Sequence, residues 1–257
     1  MNTLHELLIK LKDLGCSGIK ISFEDEGAQY NEVISMRYLT AKTGLELSVK
    51  IGGCEAKREI LDCINVCCDT VVSPMIESRF ALDKFAKSLE IQGYKNKKSF
   101  NLETITGYDN MHEIAKSIDK MNSITVGRVD FVGSINKERD YVDSPDMYDC
   151  VRNILLKSRK AYPSILCNMG GAISIRSKDF ITNLIREGLL DYFETRYIIF
   201  KTKLVDMDKL EEMLYYANRF EIEWMKYIRE RYTGYAKKDL SRIEMIEKRL
   251  AIISIEK

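Results

Sequence analysis

The residues able to do chemistry in this chain are mostly carboxylates set at the ends of short β-prone runs. Glu24, Asp25 and Glu26 close or follow the run 18–23, Lys50 lies near the end of 45–51, and Glu77 follows 69–73. Glu103 ends 99–103, Asp130 follows 123–127, Asn168 ends 164–168, and Glu194 and Arg196 lie within 192–200. Acids gathered at one end of a fold repel one another and are costly to bury unless a cation sits among them. The chain has two histidines, His5 and His112, which excludes a histidine-rich metal centre and leaves oxygen ligands, favouring Mg²⁺ or Mn²⁺ over Zn²⁺. Glu103 and Asp130 end consecutive runs, and neighbouring parallel strands lie about 4.8 Å apart. Two such side chains can reach one hard cation at roughly 2.1 Å while water and substrate complete its shell. Spacing alone equally allows a solvated carboxylate pair.

These positions matter only if the runs are parallel strands with their C-terminal ends together. The pattern supports that arrangement. Leu4, Leu7, Leu8, Leu11 and Leu14 recur at helical spacing behind a capping-box pattern, Thr3 with Glu6, and stop at Gly15. Strand and helix then alternate: helices near 30–43, 54–65 and 78–90, one carrying Met111, Ile114, Ala115 and Ile118 on one face, one from Pro145 to about 162, and one near 177–188. Such alternation predicts parallel strands joined by right-handed crossovers, in a TIM-type (β/α) barrel or an open doubly wound sheet. Seven strands are expected. The barrel domain is assigned to 1–205, and 206–257 to a C-terminal helical extension, with one helix to about 231 and another after Thr233-Gly234. The apolar surface of this extension predicts packing on the barrel or a neighbouring subunit, hence a homo-oligomer.

Composition narrows the field. A chain of 257 residues, 45% apolar and 31% charged, can bury one sizeable core. With 40 basic against 39 acidic residues it has no footprint for nucleic acid, and the cluster Lys95-Asn96-Lys97-Lys98 reads as a solvated loop. No run approaches the roughly 18 to 20 apolar residues of a membrane span, and the charged first segment is unlike a signal peptide, so a cytoplasmic location is expected. Seven cysteines without a Cys-x-x-Cys pair read as reduced, mostly buried hydrophobes.

Three local motifs carry a family likeness. Ser73-Pro74-Met75-Ile76-Glu77-Ser78, Asn101-Leu102-Glu103-Thr104 and Gly127-Arg128-Val129-Asp130-Phe131 resemble, in order and spacing, strand ends of the HpcH/HpaI aldolase and citrate lyase β-subunit family. The resemblance spans about residues 18–170. It implies that Glu103 and Asp130 bind Mg²⁺ or Mn²⁺ and that amides around Gly127, Val129 and Asp130 hold the carboxylate of a pyruvate-like substrate. Lys50 stands where the family usually has a substrate-binding arginine; it keeps the charge but not the planar fork. Asp25 stands where aldolases of this family have a histidine base, with Glu24 beside it. Family barrels also begin with a strand before the one aligning with 18–23, so the first strand here is irregular or missing, or recruited from elsewhere. On one face of their run, Glu194 and Arg196 form an ion pair, or Arg196 recognises an anionic substrate group.

The resulting expectation is a metal-dependent carbon–carbon lyase or aldolase acting on a small 2-oxo or hydroxy acid through a metal-stabilised enolate. Asp25 or Glu24 is the base, and Lys50 and Arg196 contact the substrate. Two other readings are a non-catalytic barrel of the same family that binds a ligand or partner, and a citrate-lyase-like acyl-CoA lyase.

Overall fold

The computed structural model describes residues 1–250. The strands are β1 (Cys16–Ser22), β2 (Glu46–Lys50), β3 (Thr70–Ser73), β4 (Lys97–Leu102), β5 (Ser123–Gly127), β6 (Leu166–Gly170), β7 (Tyr192–Glu194) and β8 (Ile198–Lys201). They close into one barrel in chain order. The helices are α1 (Asn2–Asp13), α2 (Tyr30–Thr43), α3 (Lys57–Asn65), α4 (Arg79–Ile91), α5 (Ile105–Asp109), α6 (Met111–Ile114), α7 (Arg128–Ser134), α8 (Pro145–Ala161), α9 (Lys178–Arg186) and α10 (Leu210–Leu250).

The expected seventh strand, 192–200, is two strands. Thr195 turns the chain back: its N–H donates to the Ile198 carbonyl at 2.9 Å, and its hydroxyl accepts from the Ile198 N–H at 3.2 Å. The hairpin makes β8 antiparallel to both β7 and β1, whereas every pairing from β1 to β7 is parallel. The strand missing at the N-terminus is thus supplied after β7, and barrel closure needs no other chain.

Three local expectations also change. The Thr3 capping box does not form, because α1 starts at Asn2 with no side-chain cap. The sixth strand runs 166–170, two residues later than expected, because a turn in which the Ile165 N–H donates to the Tyr162 carbonyl at 3.0 Å delays it. Thr233-Gly234 does not divide the C-terminal helix. One glycine costs a helix interior only about 1 kcal/mol, and the strong helix formers around it carry α10 through. The expected extension reaches residue 257, and 251–257 lie outside the described residues.

The core follows from a period-two pattern on strands covered on both sides. Outward residues such as Ile19, Leu47, Val49, Val71, Phe100, Ile124, Val126 and Phe193 are buried beneath the helices. At roughly 1.5 to 3 kcal/mol per large apolar side chain, this shell is the main force holding helices to barrel. The inward set is small and polar: Ser48, Thr70, Ser99, Thr125 and Asn168 are all buried. Barrels of this type usually fill that space with bulky branched side chains. Here it encloses a hollow of about 60 Å³, bordered by the ion pair of Lys20 and Glu194.

Four cysteines (16, 63, 68 and 167) are buried and Cys67 is exposed; all seven are free thiols. Among the described residues no helix is long and apolar enough to cross a membrane. On α10, Leu210, Met213, Ala217, Phe220 and Trp224 are buried, with α1 a principal packing partner. Beyond about residue 232 almost every side chain of the helix is exposed.

Candidate active site

A cavity of about 440 Å³ opens at the C-terminal ends of the parallel strands. Lys50, Glu103, Gly127, Val129, Asp130, Asp25 and Arg196 all line it, together with Lys20, Glu26, Asn101 and Glu194. Glu24 reaches the same place through Lys50, whose Nζ lies 2.7 Å from its carboxylate. Glu77 does not line it; its carboxylate accepts from the Thr104 hydroxyl at 2.6 Å, joining the loops after β3 and β4.

Glu103 follows β4 and is 2% exposed. One carboxylate oxygen accepts the Met75 N–H at 2.9 Å and the other the Asn101 amide at 3.0 Å. Met75 presents that N–H from a left-handed conformation, φ 44°, which is uncommon for a residue with a side chain and marks local strain beside the site. Gly127 keeps the space open: a Cβ there would lie 2.4 Å from the nearer Glu103 oxygen. Burial raises the Glu103 pKa; the Lys50 charge and the Met75 N–H oppose the rise and Asp130 adds to it. Asp130 sits in the first turn of α7 and opens to the cavity. Its pKa is also raised, first by desolvation and then by Asp25 and Glu24, against the pull of Lys50. Burial draws the Lys50 pKa down, yet Glu24, Glu103 and Asp25 outweigh it and the ammonium is held charged.

This donor set fits a hard divalent cation. Burial holds the pKa of both neighbouring carboxylates above the ordinary value even with Lys50 opposing, and the buried Asn101 Oδ1 beside Glu103 has no hydrogen-bond partner. Among the described residues no group of three or more His, Cys, Asp or Glu is arranged to hold a metal. The fit is therefore to an ion that keeps several waters, as Mg²⁺ does, and not to a closed protein cage.

Two residues that the sequence reading named without a role stand out. Glu26 belongs to the acidic cluster, but its side chain is only 10% exposed, against 53% for Asp25. It accepts the Ser22 N–H at 2.5 Å, and burial pushes its pKa up to about 7, with Lys20 opposing and Asp25 assisting. Composition shows three adjacent acids, and only the turn after β1 decides which one points inward. Arg128 is fully buried. Its guanidinium pairs with Asp143 at 2.7 Å, donates to the carbonyls of Val142, Gly170 and Gly171 at 3.1, 3.3 and 2.8 Å, and lies 5.0 Å from the Phe180 ring centroid. It ties the loops after β5 and β6 together behind Asp130. Gly171, φ 88°, completes the clamp, since a Cβ there would meet the Val129 nitrogen at 2.7 Å.

Glu194 and Arg196 do not pair with each other. Glu194 turns into the barrel, bonded to Lys20 and, at 2.6 Å, to the Asn168 amide. Arg196 lies in the turn between β7 and β8, 3.4 Å from Asp25, 3.6 Å from Glu26 and 3.7 Å from Glu221 of α10. The common face expected from strand alternation ends with β7, because the hairpin reverses direction between the two residues.

Comparison with known proteins gives a family match and several structural ones. A family model described as HpcH/HpaI aldolase/citrate lyase matches residues 31–173. No curated protein sequence matches significantly. An HpcH/HpaI aldolase/citrate lyase family protein from Burkholderia cenocepacia J2315 superposes with a TM-score of 0.61 at 15% identity, covering 88% of this chain and 91% of that one. The citrate synthase SbnG gives 0.60 at 11% identity, covering 84% and 89%. Macrophomate synthase gives 0.56 at 12% identity, covering 74% and 73%. At such identities these structures establish the shared barrel fold.

Proposed function

The chain belongs to the HpcH/HpaI aldolase/citrate lyase family, and from that premise we propose that it makes or breaks a carbon–carbon bond next to the 2-oxo group of a small carboxylic acid. The observation that carries this reading is the convergence of Glu103, Asp130, Lys50 and Glu26 on one cavity at the C-terminal ends of the strands. Glu103 and Asp130 would hold Mg²⁺ or Mn²⁺, which when bound withdraws electron density from the 2-oxo group.

The remaining work falls to the chain's own groups. Val129 and Asp130 line the cavity from the first turn of α7, where amides lack intrahelical partners, and in this reading those amides receive the substrate carboxylate, with Gly127 beside them. Lys50 supplies positive charge against the oxyanion that develops on proton removal, and Glu24 holds its ammonium in place. Glu26 is the general base. Its pKa near 7 lets it both take and return a proton at neutral pH; Glu24 is engaged with Lys50, and of the two acids that face Arg196, Asp25 at 3.4 Å and Glu26 at 3.6 Å, only Glu26 is largely buried. Arg196, anchored by three acids, borders the substrate's far end.

Calorimetric titration with Mn²⁺ and then oxalate, a mimic of the planar enolate, tests the reading. Wild-type protein should bind oxalate only with the metal present, and both Glu103→Gln and Asp130→Asn should abolish the coupling. Oxalate binding that ignores the metal, or survives both substitutions, would remove the basis of the proposal.

A further inference from the structure

Cys63, Cys67 and Cys68 fall within six residues, where α3 ends and the chain turns into β3. The turn is a Schellman motif. The Cys68 N–H donates to the Cys63 carbonyl at 3.0 Å and the Cys67 N–H to the Ile64 carbonyl at 2.9 Å, with Cys67 in the left-handed conformation, φ 53°. This motif sets the side chain of its first residue against that of its last, a contact usually made by two hydrocarbons. Here both are thiols. Cys63 and Cys68 are fully buried, and their side chains share a hydrogen bond. The Tyr94 hydroxyl stands 3.7 Å from the Cys68 sulfur and 3.3 Å from its carbonyl oxygen. Hydrogen bonding from Cys63 draws the Cys68 pKa below its ordinary value, with burial opposing and Tyr94 assisting, so Cys68 ionises the more readily of the two.

Cys67 has a different setting. Glycine is the usual residue at a left-handed helix end; a side chain there carries a conformational cost, and the exposed Cys67 thiol gains no packing in return. Its exposure puts the turn at the surface, with the paired thiols directly beneath. Of the nine residues of α3 only Ile60 and Cys63 are buried, and no side chain caps the start of the helix. A helix held so lightly opens locally at far less cost than the barrel unfolds, which gives a small reagent access to the pair.

We propose that Cys63 and Cys68 are a reversible dithiol–disulfide site, oxidised by a hydroperoxide, that staples the end of α3 to the start of β3. Residues that share a backbone hydrogen bond and a thiol contact are near enough for a disulfide, whose Cα atoms stand about 4.4 to 6.8 Å apart. The Cys68 thiolate attacks one peroxide oxygen; the O–O bond breaks, the departing oxygen takes up the proton that Cys68 released, and Cys68 becomes a sulfenic acid. The Cys63 sulfur then attacks the Cys68 sulfur and displaces hydroxide, which takes the Cys63 proton and leaves as water. Two electrons pass from the thiols to the peroxide, and a thiol reductant restores both thiols by exchange. The pair lies at the N-terminal end of β3 and the mouth at the C-terminal ends, so the staple forms away from Glu103, Asp130 and Lys50.

The test uses the native full chain, treated with one equivalent of hydrogen peroxide, then unfolded, alkylated with iodoacetamide and digested with trypsin. The peptide 59–79, which holds all three cysteines, should carry a single label, on Cys67. Without peroxide, or after dithiothreitol, it should carry three. Cys16 and Cys167, buried elsewhere in the barrel, should keep their labels throughout. The oxidised protein should unfold at a higher urea concentration than the reduced one, and Cys63→Ala should abolish that difference; the label count itself needs no variant. Three labels retained at ten equivalents of peroxide overturn the proposal, as does loss of the Cys67 label to a bond with a neighbour or with a second chain. Parallel loss of the Cys16 and Cys167 labels, or an unchanged urea midpoint, overturns it too.

Discussion

Three adjacent acids after β1 receive three different environments. Glu24 neutralises Lys50, Asp25 stands half exposed beside Arg196, and Glu26 is buried against the Ser22 amide. With a pKa near 7, Glu26 acts as a base only when ionised, so kcat/KM should rise with pH through about 7 and level off above it. In Glu26→Gln that limb should vanish and kcat fall by about 10²- to 10⁴-fold, read from a pH–rate profile. The same shift bears on stability. The folded value lies above the ordinary 4.5, so the unfolded chain releases this proton first, and the contribution of Glu26 to stability falls as pH rises from about 4.5 to about 7. Glu26→Gln should therefore gain stability relative to wild type between pH 5 and pH 8, by at most about 3 kcal/mol in urea melts.

At the scale of elements, the site depends on two constructions that bring separate segments together. Arg128 fastens the loops after β5 and β6, and Arg128→Met would leave Asp143, 16% exposed, without its partner. A loss of about 3 to 5 kcal/mol is expected from urea unfolding. Weaker Mn²⁺ binding should accompany it, because Asp130, the proposed metal ligand, sits on the segment that Arg128 holds. The hairpin of β7 and β8 is the second construction. Phe200 is fully buried and stacks on Phe193 at 5.2 Å between ring centroids, across the hairpin whose second strand closes the barrel on β1. Phe200→Ala should cost about 3 to 5 kcal/mol and loosen the seam between β1 and β8, detectable as faster amide exchange in those strands than in β4 and β5.

For the whole molecule, the long helix divides the surface into a part that belongs to the barrel and a part that does not. Through Trp224 one face of it is buried, and Tyr232 still reaches the Glu32 carboxylate. Farther on, Tyr235, Leu240, Ile243, Ile246 and Leu250 are 40 to 58% exposed. At 3.6 residues per turn they form one stripe, flanked by interleaved lysines, arginines and glutamates. We propose that this stripe buries against another copy of the chain, since mixed charges beside an apolar seam suit an identical partner helix. Shortening the chain to end at residue 236 should leave thermal stability nearly unchanged, because almost none of the described residues beyond that point is buried, while the mass in sedimentation falls. An unaltered mass would exclude the stripe as the interface.

The sequence by itself determined the alternating elements, the parallel order of the first strands, and the strand ends on or near which Glu103, Asp130 and Lys50 fall. These follow from period and position: a barrel strand covered on both faces has few alternative registers, and the residue ending it must face the opening. Only the tertiary structure decided that 192–200 folds back on itself, because a polar Glu-Thr-Arg stretch is compatible with a strand or with a turn until β1 is there to be paired. It likewise singled out Glu26 from its neighbours and buried Arg128 among carbonyls from distant loops. Burial and charge pairing depend on which segments meet, and no local pattern along the chain encodes that meeting.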